Sequence, residues 1–172
     1  MHRRNIVGIS ALTVGLALLP SGASAQQKSI KDMLVGTWAL LLDDNIKDDS
    51  THVPAFGPNP EGTLVFAADG HYSLQIFRHG RPAFASKDRL KGTADENKAA
   101  VQGMISHFGT YTVDEAGKTL AFRIEASSFP NWDGTLQKRP ITAVTDEVLT
   151  YNNPTPTTSG YVRSELAWKK AK

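Results

Sequence analysis

The sequence predicts an all-β fold, an antiparallel meander of roughly eight strands that closes into a barrel and carries one short inserted α-helix. Short apolar or alternating segments follow one another along the chain, separated by turn-forming residues, and this is the pattern of consecutive antiparallel strands. Such a sheet must protect its edges, and closure into a barrel removes them. The chain has no internal repeat, which argues against propellers and solenoids.

The strands are expected wherever apolar residues alternate or run together. They are predicted at residues 34–42, 62–68, 71–78, 109–114, 118–126, 138–144, 147–152 and 161–169. Asp69-Gly70 is the clearest turn, because Asp-Gly between two apolar runs is typical of a two-residue hairpin. Residues 43–60 are rich in Asp and Pro, and we expect them to form a long loop.

One helix interrupts the strands. Thr93 and Glu96 have the spacing of a capping box, so a helix is predicted over residues 94–107. Apolar residues continue with helical spacing as far as Phe108. Gly103 lies inside this stretch and costs a helix about 1 kcal/mol relative to Ala, so the helix is expected to be short or kinked.

Residues 1–25 have the organisation of a secretory signal peptide. Arg3 and Arg4 form a basic start, residues 6–19 an uncharged apolar run, and Ala23-Ser24-Ala25 a cleavage site. The run spans roughly 21 Å as a helix, less than the ~30 Å of a membrane core. We therefore expect export to the periplasm or the medium, a single domain over residues 26–172, and no membrane span after cleavage.

Composition and charge exclude several classes of function. The chain has 19 Lys and Arg, 17 Asp and Glu, and no cysteine. After loss of Arg3 and Arg4 the basic and acidic residues balance, so no basic surface for nucleic acid is expected. The lack of cysteine excludes a disulfide framework and a Cys nucleophile. No P-loop, dinucleotide or nucleophile-elbow motif occurs, so no cofactor is expected.

The histidines and acidic residues do not predict a metal centre. His71 and His79 flank the same predicted strand, which places them about 26 Å apart when extended. His52 and His107 form no metal-binding motif with them. The acidic loop that begins at Asp43 lacks the alternating ligands and the glycine of a calcium loop.

Several stretches of the chain resemble the small lipocalin-like domain family of bacteria and fungi. Gly36-Thr37-Trp38 is the G-x-W pattern of a first lipocalin strand. The other segments that carry the resemblance are FGPNPEG at 56–62, ADGHYSLQIFRHGRP at 68–82, FGTYTVDEAGKT at 108–119, SSFPNWDGTLQKR at 127–139 and LAWKK at 166–170. The resemblance implies a calycin-type barrel with Trp38 packed at its closed end. The usual disulfide cysteines and the T-D-Y type motif of true lipocalins are missing, and fold does not fix function.

The leading hypothesis is noncovalent binding of a small lipophilic or amphipathic molecule inside the barrel, because an eight-stranded barrel can hold one small ligand. The apolar wall is predicted to include Phe66, Tyr72, Phe77, Phe108, Tyr111, Phe122 and Trp132. Polar contacts are predicted from Ser73, Gln75, Arg78 and Arg139. Neighbouring strand residues face opposite sides, so the sequence does not decide which set on residues 72–77 points inward.

Two other functions stay open at this point. The protein could be an isomerase, cyclase or hydratase, which would require an inward acid or base such as Tyr111, His107 or Glu125. It could also be a filled barrel that acts as a structural or interaction module, which a densely packed interior would indicate. Either a monomer or a homodimer is compatible with the sequence.

Overall fold

A computed structural model describes residues 28–172, so the predicted signal peptide lies outside the described residues. The strands are β1 Gly36–Ile46, β2 His52–Pro54, β3 Glu61–Phe66, β4 His71–Phe77, β5 Met104–Asp114, β6 Thr119–Ser127, β7 Leu136–Val144, β8 Val148–Asn153 and β9 Arg163–Lys170. The helices are α1 Ile30–Leu34, α2 Ala94–Gln102 and a 3-10 turn, Pro130–Trp132. None of the helices in this part of the chain has the length and apolar character needed to cross a membrane.

The predicted antiparallel barrel is confirmed. Strands β3 to β9 pair in chain order, and β9 returns to pair with β1, from Trp38 opposite Lys170 to Ile46 opposite Arg163. Eight strands therefore form a closed sheet. The additional short strand β2 pairs with the last residues of β1. Closure leaves no long free edge on the barrel.

The barrel interior is built from alternate residues of each strand, as the twofold period of a strand requires. On β4, Tyr72, Leu74 and Ile76 are buried, while the residues between them are not. The same alternation gives the core residues of the other strands, which include Trp38, Leu64, Phe66, Tyr111, Leu120, Phe122, Ile124, Leu149, Tyr151 and Trp168.

Helix α1 covers one end of the barrel. Its buried residues Ile30 and Leu34 join the core. The carboxylate of Glu115, in the turn between β5 and β6, accepts hydrogen bonds from the backbone nitrogens of Ile30 at 2.8 Å and Lys31 at 3.0 Å. The first N–H groups of a helix have no partner within it, so Glu115 attaches the start of α1 to the barrel.

Lys170 attaches the other end of α1. Its Nζ donates to the carbonyl oxygens of Met33 at 2.8 Å and Val35 at 2.6 Å, and it lies 4.5 Å from the centre of the Trp38 ring. Trp38 is fully buried, and its Nε1 donates to the carbonyl of Leu34 at 2.7 Å. The G-x-W tryptophan thus packs against α1 at the covered end.

The predicted helix over residues 94–107 was too long. Thr93 and Glu96 form the expected capping box, but α2 ends at Gln102 and is capped by Gly103. Residues 104–107 belong to β5, where Met104 lies opposite Phe77 and His107 opposite Leu74. The apolar spacing that continued past Gly103 came from a strand, because sheet pairing with β4 overrides a weak local helical pattern.

The prediction of one long loop over residues 43–60 was also wrong. A β-bulge between Leu40 and Leu42 shifts the register of β1, and the strand continues to Ile46. Leu41 at this bulge is 56% exposed, whereas residues 43–46 are all buried. The bulge explains why the apolar residues of this segment occupy both parities. Helix α1 itself was not predicted.

Candidate functional site

A cavity of about 480 Å³ lies in the barrel at the end opposite α1, and this volume is in the usual range for a small-molecule site. It is bounded by the end of α2, the loop after β6 and the connection between β8 and β9. Its apolar wall includes Phe56, Leu74, Ile76, Met104, Ile105, Phe122, Phe129, Trp132 and Leu166. Its polar lining includes Asp43, Asn45, His107, Arg139, Tyr151, Asn153 and Ser164.

Aromatic rings connect the cavity to the core. Phe122, on the inner face of β6, has its ring centre 4.4 Å from that of Tyr72. The ring of His107 stands edge-on to Trp132, with centres 5.6 Å apart. Trp132 also contacts Phe129, at 5.8 Å between ring centres. The aromatic groups therefore run from the barrel interior to its opening.

The loop that carries Trp132 is fixed to β6 by hydrogen bonds. The carboxylate of Asp133 accepts from the backbone nitrogen of Ser127 at 2.7 Å, and the nitrogen of Gly134 donates to the carbonyl of Ile124 at 2.9 Å. Pro130 begins the 3-10 turn and fixes its first φ angle. The indole of Trp132 is thus held at the cavity opening by local geometry.

His107 and Tyr72 form a buried polar pair. Tyr72 Oη and His107 Nδ1 are 2.9 Å apart. Burial, with a smaller contribution from the Arg139 charge, lowers the pKa of His107 to about 3. The imidazole is therefore neutral at ordinary pH, and in its Nε2–H tautomer Nδ1 accepts the hydrogen bond from the tyrosine hydroxyl. Burial raises the pKa of Tyr72.

Arg139 points into the barrel from β7 and is only 5% exposed. Its Nη1 donates to the carbonyl of Lys138 at 3.1 Å, and its Nη2 donates to the side-chain oxygen of Gln137. Burial lowers the pKa of Arg139, and the hydroxyls of Tyr151 and Tyr72 lie near enough to oppose that shift. A guanidinium keeps its charge in proteins, so the cavity contains a buried cation.

A second polar group lies on β1 and β9. The hydroxyl of Ser164 donates to the side-chain oxygen of Asn45 at 2.7 Å. Burial, followed by repulsion from Asp44, raises the pKa of Asp43 to about 7. Asp44 faces His52 instead, at 3.2 Å from Nδ1. Within residues 28–172 no three His, Asp or Glu side chains come close enough to hold a metal ion.

Six of the eleven predicted site residues point into the barrel. Phe122, Trp132 and Arg139 line the cavity. Phe66, Tyr72 and Tyr111 are buried in the packed core. Tyr111 lies toward the covered end, where its hydroxyl donates to the carbonyl of Ala67 at 3.0 Å.

The other five predicted site residues face away from the cavity. Ser73, Gln75 and Phe77 lie on the outer face of β4, because Tyr72, Leu74 and Ile76 occupy the inner face. Phe108 lies opposite Ser73 on β5 and is 51% exposed. Arg78 is exposed beyond the end of β4. Glu125, named as a possible acid or base, is exposed as well.

Sequence reasoning missed most of the polar lining. Tyr151 and Asn153 share one parity of β8, and Ser164 and Leu166 share one parity of β9. That alternation was a usable signal, but Asn and Ser are residues usually found at the surface. Asp43 was missed because the Asp- and Pro-rich residues 43–60 predicted a loop, whereas β1 continues to Ile46.

Two solved structures match this chain at 13% sequence identity. One is a redesigned β-barrel, with a TM-score of 0.42 over 84% of this chain and 96% of that chain. The other is a lipocalin-like protein from Bacteroides uniformis, with a TM-score of 0.42 over 81% of this chain and 99% of that chain.

A sequence relative is also found in a fungus. It is named the 4'-hydroxy-3'-methoxypropiophenone carrier protein of Aspergillus oryzae, and it is 29% identical over 106 residues, which cover 57% of this chain and 95% of the relative. The sequence pattern of the lipocalin-like domain family matches residues 35–171, which include every strand of the barrel. The chain therefore belongs to the lipocalin-like domain family.

Proposed function

We propose that this protein is an exported carrier that binds one small, partly apolar molecule noncovalently inside its barrel. The observation that carries the proposal is the cavity of about 480 Å³, which combines an aromatic and aliphatic wall with a few buried polar groups. That combination is typical of sites that bury most of a small ligand and orient it by a few hydrogen bonds. The export part of the proposal rests on the sequence of residues 1–25.

The name of the Aspergillus oryzae relative supports the carrier function and indicates a class of ligand. A carrier of 4'-hydroxy-3'-methoxypropiophenone holds a substituted aromatic ketone. The cavity of this chain offers Phe122 and Trp132 as faces for an aromatic ring, and Arg139 and Tyr151 as hydrogen-bonding groups. We therefore propose a small aromatic compound with polar substituents as the ligand.

The proposal is tested by native mass spectrometry of the protein purified from its export compartment, followed by denaturation and mass analysis of any released molecule. Ala55 lines the cavity, whereas Ala143 is exposed on β7. We expect one bound molecule per chain in the wild type and in Ala143→Trp, and its loss in Ala55→Trp, because the added indole fills the cavity. Equal occupancy in the two variants would place the ligand outside the barrel.

Asp43 favours a second candidate function, proton-transfer catalysis on a molecule bound in the cavity. Its carboxyl lines the cavity and has a pKa raised to about 7 by burial and by Asp44, which suits a general acid or base at neutral pH. The ligand released in the first experiment is incubated with the wild type and with Asp43→Asn, and its mass and chromatographic retention are followed. Conversion by the wild type alone would favour an enzyme, and an unchanged ligand favours the carrier.

A further inference from the structure

We infer that the ligand of this cavity ends in a carboxylate, which the guanidinium of Arg139 binds. This inference rests on the proposed function, because it names the chemistry of the molecule that the barrel carries. Arg139 lines the cavity while being only 5% exposed. A buried charge is costly unless an opposite charge and hydrogen bonds compensate it.

Within residues 28–172, the hydrogen-bond partners of Arg139 are all neutral. The two acceptors that it contacts are the backbone carbonyl of Lys138 and the side-chain oxygen of Gln137, both close neighbours on β7. An arginine side chain has five N–H donors arranged in a planar fork. Two hydrogen bonds therefore leave most of the donor capacity of Arg139 to a molecule in the cavity.

Among the described residues, no carboxylate forms an ion pair with Arg139. Within residues 28–172 no Asp or Glu oxygen lies within 4.0 Å of its nitrogens, and residues 1–27 contain neither Asp nor Glu. Asp43 is the one acidic residue among the described residues that line the cavity. Its pKa is raised by burial and by Asp44, whereas a partnership with a guanidinium would lower it.

The groups around Arg139 suit the remainder of such a ligand. Tyr72 and Tyr151 are its phenolic neighbours, and burial raises the pKa of both, so they are uncharged hydrogen-bonding groups. Phe122 and Trp132 line the same cavity and offer contact to an apolar body. A carboxylate fits the arginine fork with two parallel hydrogen bonds. The cavity is thus complementary to a small apolar acid.

The test compares 3-phenylpropanoate with 3-phenylpropanamide, which share one carbon skeleton and differ in charge. Binding of each to the purified protein is measured by calorimetry at pH 7.5. We expect the acid to bind at least about tenfold more tightly than the amide, which corresponds to about 1.4 kcal/mol. In Arg139→Met the affinity for the acid should fall at least about tenfold, while that for the amide stays within about threefold.

Arg123→Met is the matched control, because Arg123 is exposed on the neighbouring strand β6. This variant should bind the acid and the amide with the affinities of the wild type. Equal binding of acid and amide to the wild type would overturn the carboxylate inference and leave the carrier function standing. Failure of both probes to bind, together with no molecule released in native mass spectrometry, would overturn the inference and the carrier function alike.

Two further measurements do not depend on the stability of Arg139→Met. If Arg139→Met does not fold, the comparison of the two probes on the wild type decides. A molecule released from the native protein is analysed for an acidic group by negative-ion fragmentation with loss of carbon dioxide. A carboxylic acid supports the inference, and a ligand without an acidic group overturns it.

Discussion

Tyr72 and His107 meet inside the barrel with Oη and Nδ1 2.9 Å apart, although they lie on different strands. Both residues are almost completely buried, at 4% and 5% exposure. The low pKa of His107, about 3, keeps its ring neutral, so the pair exchanges a hydrogen bond without a buried charge. His107 lines the cavity, and Tyr72 packs on Phe122, which lines the cavity as well.

Removal of the Tyr72 hydroxyl should lower the stability of the fold. Tyr72→Phe leaves Nδ1 of His107 buried without its donor, which costs about 1–3 kcal/mol. The measurement is the free energy of unfolding from urea denaturation. Tyr161→Phe is the control, because its hydroxyl makes no hydrogen bond within the described residues and its loss should cost less than about 0.5 kcal/mol. Similar losses in the two variants would show that the buried hydrogen bond contributes nothing.

The stability of the protein should depend on pH through two buried groups that act in opposite directions. The pKa of Asp43 is raised from 3.8 to about 7, so between these values the folded chain holds a proton that the unfolded chain releases, and stability falls as pH rises. The pKa of His107 is lowered from 6.5 to about 3. In that interval the unfolded chain holds the additional proton, and stability rises with pH.

Asp43→Asn separates these two contributions. The variant keeps only the effect of His107, so its free energy of unfolding should rise more steeply than that of the wild type between pH 4 and pH 6.5. Urea denaturation at several pH values in this interval measures both slopes. Asp48→Asn makes the same chemical change at an exposed position, and its slope should equal that of the wild type. Parallel curves for Asp43→Asn and the wild type would contradict the burial of a titrating carboxyl.

Two phenylalanines test the inward and outward faces of the barrel. Phe122 is 1% exposed and Phe108 is 51% exposed. Phe122→Ala should destabilise the fold by about 3–5 kcal/mol, because it leaves a cavity in the core. Phe108→Ala should change stability by less than about 0.5 kcal/mol. Thermal and urea denaturation of both variants check the assignment. A large loss of stability in Phe108→Ala would show that Phe108 faces the interior of the barrel.

Gly109 should be intolerant of any side chain. A Cβ atom there would lie 2.1 Å from the carbonyl oxygen of Arg123, at a β-bulge between β5 and β6. Backbone on both strands would have to move, so Gly109→Ala should destabilise by about 3 kcal/mol or more, beyond the usual range of single substitutions. Gly134 has φ of +73° with open space around it, and Gly134→Ala should cost only about 1–2 kcal/mol. Denaturant titrations that give equal losses would argue against this close approach.

The strands and the start of α2 were predictable, because alternation and the Thr93 capping box are local signals that the tertiary structure preserves. Asp69 and Gly70 do lie in the turn between β3 and β4, but that connection spans residues 67–70 and not the two residues predicted. The inward face was harder to predict. Tyr72 and Ser73 belong to the same apolar run, and only pairing with β3 and β5 decides which of them faces the interior.

The cavity was the least predictable part of the molecule. Asp43 follows the β-bulge that shifts the register of β1. Ser164 lies 119 residues after Asn45 in the sequence, yet its hydroxyl donates to the Asn45 side chain. Alternation indicates that Ser164 shares a face with Leu166, but it does not indicate which residue of a distant strand meets that face. Arg139 was predictable as a polar residue on a strand, but its burial without a protein carboxylate follows only from the surrounding side chains.

Helix α1 closes one end of the barrel, and the cavity opens at the other end. A ligand would enter and leave through the same opening. The loop that holds Trp132 lies at this opening, so it would influence both loading and release. Lys28 lies at the closed end, where its Nζ pairs with Asp146 of the β7–β8 turn at 2.9 Å. Loading and release would therefore take place at the end of the barrel opposite Lys28.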